Sequence, residues 1–227
     1  MTTPEPSTPV KSFRLALALA LAALGAPLAA GAAKAPAKGA APIVLAAPKD
    51  FAAAVRAVEK ATGAKAADLE LKGNPLPAEE GRSFRIEGHL ATRLIDGSHA
   101  PFLKAGFYLF RLERSFGMGG GLDVIGLVKT TDRDALIRKV GTADPHKALT
   151  TDGLIAWLDA LDKDEPFALN EIGVDYVAGR FAATPKDPAA VARRCAEIAP
   201  ELVKGSGSAI DLLSEEIRSD RTLYLIW

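Results

Sequence analysis

A single cysteine, Cys195, excludes an intramolecular disulfide framework and any zinc site built from cysteines. An excess of one charge is also missing, since 28 basic residues balance 28 acidic ones. That balance leaves no electrostatic footprint for nucleic acid or for an anionic membrane. Aromatic residues make up only 6% of the chain, which argues against extended base- or sugar-stacking surfaces. Histidines number three, His89, His99 and His146, and no Gly-x-Ser-x-Gly elbow is present for a serine nucleophile. What is there is ordinary. The 227 residues, 48% of them hydrophobic, are enough for a sizeable core and one or two domains.

The N-terminal region reads as an address. Lys11 and Arg14 precede an apolar run, Leu15 to Leu24, which is followed by Gly25, Pro27 and the small-residue site Ala30-Gly31-Ala32. These are the parts of a secretory signal peptide over residues 1–32, with the mature chain expected to begin near Ala33. The run is too short and too weakly apolar for a membrane span of about 20 residues. Export to the periplasm or beyond is the expectation, with no membrane association after cleavage. Residues 33–42, rich in Ala, Pro and Lys, read as a linker, and residues 43–227 as one folded domain.

Within that domain the apolar spacing predicts a helix over 48–62, carrying Phe51, Val55 and Val58 and stopped by Gly63. Residues 68–90 read as short edge strands or a hairpin, and the stretch holding His89 and His99 as loop-rich. From Gly106 onward the pattern sharpens into the order β-β-α-α-β-β-α-α-β, ending in Leu223-Tyr224-Leu225-Ile226-Trp227 as a buried strand. The fold class expected is α+β, a two-layer sandwich of a mixed, mostly antiparallel sheet with helices on one face.

Several segments stand in a recognisable order: Gly106–Phe110, Val128-Lys129-Thr130-Thr131-Asp132, Ile155-Ala156-Trp157-Leu158, Gly173-Val174-Asp175-Tyr176-Val177 and the tail from Ala199. Together they resemble a bacterial family known as a domain of unknown function, number 4253, over residues 106–227. The resemblance implies no known activity. Where that family's tail has a cysteine, an aspartate and a closing aspartate, this chain has Ala199, Glu201 and no counterpart. Any chemistry those groups perform in relatives is therefore lost or altered here.

Candidate chemistry is thin. The three histidines lack the spacing of metal ligands and read as solvated loop residues, so no metal or other cofactor is expected. Val191, Cys195 and Ile198 share one helical face, which makes the thiol a core residue. Lys204-Gly205-Ser206-Gly207-Ser208 precedes a helix but fits no phosphate loop, and a glycine stop followed by a serine cap accounts for it. Asp175 interrupts an apolar stretch, and a carboxylate in a strand buried on both faces must find a partner or a pocket. The leading expectation is a non-catalytic module that binds an unidentified protein or small molecule and does not bind nucleic acid. The alternative is a small hydrolase using Asp175, His146 and Glu201 in one pocket.

Overall fold

The computed structural model describes residues 41–115, 121–145, 149–203 and 209–227. Residues 1–32, expected to be a leader, most of the expected linker, much of the glycine-rich stretch after Arg114, His146 and the Lys204–Ser208 segment lie outside the described residues.

Helix α1 (Phe51–Thr62) starts where the Asp50 side chain accepts from the Ala53 N–H. It ends at Gly63, whose φ of 74° suits a residue without a Cβ. Four strands follow: β1 (Ala67–Asp68), β2 (Glu70–Leu71), β3 (Asn74–Pro75) and β4 (Gly81–Ile86). Helix α2 (Gly88–Lys104) then occupies the stretch expected to be loop. Its core stripe is Ala91, Leu94, Ile95, Ser98 and Phe102, a helical spacing obscured in the sequence by Gly97, His99 and Pro101. The hairpin of β5 (Tyr108–Glu113) and β6 (Asp123–Val128) leads into α3 (Arg133–Val140) and α4 (Thr151–Asp164). Asp132 caps α3 and Thr150 caps α4, each accepting a backbone N–H three residues on. A second hairpin, β7 (Phe167–Ile172) and β8 (Tyr176–Phe181), leads into α5 (Pro188–Ile198), a 3-10 turn at Pro200–Val203, α6 (Ala209–Asp220) and β9 (Thr222–Ile226). Asp187 caps α5 with proline at the first helical position, as the sequence indicates.

The expected strand and helix order after Gly106 is the observed one, and the sheet is mixed and mostly antiparallel. Its seven strands run β1-β4-β6-β5-β7-β8-β9, with β2 and β3 forming a separate pair. Strand β4 lies between β1 and β6, so Phe84-Arg85-Ile86 is an interior strand, with Phe84 fully buried. The β5–β7 pairing is the one parallel neighbour pair among the described strands, and its register consists of a single pair, Arg111 with Glu171. Helices α3 to α6 pack on one face, over Phe110, Leu169, Val177, Leu223 and Leu225. Helices α1 and α2 add a second core on the opposite face, over Phe84, Ile86, Leu109, Ile125 and Leu127. The arrangement of helices on one face therefore describes the β7–β9 half. The β4–β6–β5 half is covered on both faces, because alternate residues of β5 and β6 are apolar in both directions.

A strap precedes α1. The Ile43 N–H donates to the Arg93 carbonyl, and the Ser98 hydroxyl donates to the Ile43 carbonyl while accepting from the Leu45 N–H. Gly97 permits this approach: a Cβ there would sit 2.3 Å from the Ile43 carbonyl oxygen. The described residues all belong to one compact unit, Lys38–Trp227. Among them no helix is long and apolar enough to cross a membrane.

Candidate functional site

The residues proposed from sequence fall apart in space or out of view. Asp175 is half-buried in the bend between β7 and β8, where its backbone carbonyl accepts the Trp227 N–H at 3.0 Å. The strand begins one residue later, at Tyr176, so the carboxylate does not interrupt it. Glu201 is exposed in the 3-10 turn, and His146 lies outside the described residues. His99 is not a solvated loop residue. It is 6% exposed on α2, and its Nδ1–H donates to the Leu109 carbonyl at 2.8 Å. That bond leaves Nε2 as the unprotonated nitrogen, buried and without a partner among the described residues. Burial holds its pKa below the usual histidine value, opposed by the Leu109 bond. His89 is exposed beside Glu87. Cys195 is buried, and desolvation pushes its thiol up to about 12, with nearby Arg194 opposing the shift. It is protonated and unreactive at neutral pH.

The polar centre of the molecule is elsewhere, on the sheet face shared with α2. Arg111 in β5, Asp123 in β6 and Glu171 in β7 are each 8% exposed or less. Antiparallel register sets Arg111 opposite Ile125 and Ile86 opposite Asp123, so all of these side chains leave the sheet on one side. Arg111 reaches three ways. Its Nη1 donates to Glu171 Oε1 at 2.8 Å, its Nη2 to the Thr92 hydroxyl of α2 at 2.7 Å, and its Nε lies 3.1 Å from Asp123 Oδ2. The last contact is an ion pair and not an aligned hydrogen bond, since the Nε–H finds no acceptor in line. Arg114, one-third exposed, grips Glu171 through Nε and Nη2, and Ser115 caps Asp123 Oδ1 through its N–H and hydroxyl. Partial burial works against the Arg114 charge, but Glu171 more than offsets it and raises the pKa above the ordinary arginine value.

Beyond α2 this face continues onto β8 and β9. Tyr176 lies over Gly173, where a Cβ would come within 2.1 Å of the ring, and its centroid is 6.4 Å from that of Tyr224. The Tyr176 hydroxyl is buried and has no hydrogen-bond partner among the described residues. Desolvation raises the phenol pKa well above its usual value, Glu171 adds to the rise, and Arg111 and Arg114 oppose it. The phenol is therefore a neutral donor. The two carboxylates are engaged by arginines. The cluster can recognise a polar group, and it can hold the sheet together.

These residues escape the sequence because Arg111 follows directly on the apolar run Gly106–Phe110, and Asp123 and Glu171 each stand alone as a charge among the apolar residues of β6 and β7. The reasoning applied to Asp175, that a charge in a doubly buried strand must find a partner, applies better to Arg111, Asp123 and Glu171. Among the described residues no group of three or more His, Cys, Asp and Glu side chains could hold a metal ion. No match was found among the curated proteins. The solved structures likewise supply none. Residues 124–227, from β6 to β9, are matched by the family model of a domain of unknown function, DUF4253, the family that the ordered sequence segments resemble.

Proposed function

We propose that this protein is an exported, non-catalytic binding module that takes a polar ligand on the strand face where Arg114, Tyr176 and Tyr224 meet. The carrying observation is the Tyr176 hydroxyl, buried against the ion cluster and without a partner among the described residues. An unmet buried donor costs about 1–3 kcal/mol, which an acceptor on a ligand would recover. Tyr224 and Arg114, both partly exposed, supply an aromatic plane and a cation beside it. The engaged carboxylates, the protonated Cys195 and the enclosed His99 support binding over turnover. Export rests on the leader-like residues 1–32 alone.

A screen of aromatic carboxamide and carboxylate fragments by protein NMR tests the reading. The expected result is a set of hits that shift Tyr224 and Arg114 resonances in the natural protein and lose affinity in Tyr176→Phe. In the absence of ligand that variant should be more stable by about 1 kcal/mol, because it removes an unsatisfied group. Saturable hydrolysis of an ester or phosphoester substrate, abolished by Asp175→Asn, would replace the module with an enzyme.

A further inference from the structure

Strand β9 closes the sheet, and among the described residues no strand pairs with its outer edge. The Trp227 N–H donates to the Asp175 carbonyl and the Phe181 N–H donates to the Arg221 carbonyl. With the register Val177–Leu225 and Gly179–Leu223, these bonds turn the backbone groups of residues 221, 223, 225 and 227 toward β8. The N–H and C=O groups of Thr222, Tyr224 and Ile226 therefore point outward, and none has a partner among the described residues. Natural edges are blunted by shortness, charge, proline or a bulge. The opposite edge of this sheet follows the rule, since β1 is two residues long and carries Asp68 paired with Arg82. Strand β9 does not follow it. Its five residues, Thr-Leu-Tyr-Leu-Ile, include no charge and no proline, and its register on β8 is unbroken.

We infer that this edge pairs with the same edge of a second copy, antiparallel, with a twofold axis at Tyr224. The inference is independent of the ligand reading above. The strand is self-complementary in that register. Thr222 faces Ile226 of the second copy, Tyr224 faces its own equivalent, and all three outward-turned residues form hydrogen-bonded pairs. Six N–H···O bonds result, two at each pair. Between them, Leu223 faces the other copy's Leu225 on the apolar side of the sheet. No like charges meet along the strand, so the absence of charge on this edge also makes it compatible with itself. The pairing joins two seven-stranded sheets into one and sets the two Tyr224 rings side by side.

The test uses the full chain. Sedimentation over about 1–100 µM should show a monomer–dimer equilibrium, and the Thr222, Tyr224 and Ile226 amides should gain protection from hydrogen exchange as concentration rises. Directly opposed residues of a hydrogen-bonded pair have Cα atoms about 5.5 Å apart, within disulfide reach. Mild oxidation of Tyr224→Cys should therefore give a crosslinked dimer, whereas Thr222→Cys, four residues from its own equivalent, should not crosslink. Tyr224→Pro removes one outward N–H, spares the β8 ladder, and should yield a folded monomer. Monomer at every concentration overturns the inference and leaves the edge to a foreign strand. A dimer without added edge protection, or one crosslinked equally well at position 222, overturns it in favour of another interface.

Discussion

At the scale of single residues, the buried Arg111 is the position on which most depends. It neutralises two carboxylates taken from different strands and ties both to α2 through Thr92. Arg111→Met leaves Asp123 and Glu171 buried, with Ser115 and Arg114 as their remaining partners. The loss of a buried pairing of this kind costs about 3–5 kcal/mol, and chemical denaturation should show it. The triple variant Arg111→Met, Asp123→Asn, Glu171→Gln should recover part of that loss, since no unpaired charge then remains. His99 makes a prediction of opposite character. Its folded pKa is depressed, so above about pH 6.5 both folded and unfolded states are neutral and its contribution is complete. As pH falls below that value the unfolded chain takes a proton and the folded one does not. Stability should then drop by up to about 1.4 kcal/mol per pH unit until the folded pKa is reached. A denaturation series from pH 7.5 to 5 on the natural protein and on His99→Leu measures it, and the variant should lose this part of the slope.

At the scale of elements, periodicity was readable wherever apolar residues were spaced without interruption. Helices α1, α3, α4 and α5 and both β-hairpins announce themselves by such spacing and by Asp132, Gly63 and Asp187-Pro188 at their ends. Helix α2 does not, because tertiary contacts supply what propensity lacks: Ser98 and Gly97 are helical residues that serve the strap at Ile43. The closing strand was legible as a strand but not as an edge, because strand order depends on long-range pairing that the sequence pattern does not encode. Its Leu223 and Leu225 are fully buried, while Tyr224, Ile226 and Trp227 are half-buried. Deleting Leu223–Trp227 removes those two leucines, each worth about 1.5–3 kcal/mol, together with the β8–β9 ladder. That is a large fraction of the roughly 5–15 kcal/mol that holds a typical domain. A truncated chain should show no cooperative melt by circular dichroism.

At the scale of the whole molecule, the family match and the fold disagree about where the unit begins. The matched residues 124–227 include β6 and β7, yet β5 lies between those strands in the sheet and precedes the match. A fragment of residues 124–227 should therefore fail to fold, while residues 41–227 should melt cooperatively, and calorimetry on the two separates the cases. The sequence resemblance, starting at Gly106, takes in β5 and so comes closer to the physical unit. The charged cluster explains why β5 cannot be spared. The strands on either side of the β5–β7 junction are antiparallel ladders with several rungs, but the junction has one rung, Arg111 with Glu171, and the same two side chains clasp above it. On the other face a continuous apolar core runs beneath both halves. The two halves of the sheet, β1-β4-β6-β5 and β7-β8-β9, are therefore joined chiefly through the shared apolar face and through side chains that cross the junction. The Arg111–Glu171 pair, with the Tyr108 hydroxyl on the Leu169 carbonyl, is thus what the side chains add to a junction that the backbone makes at one point.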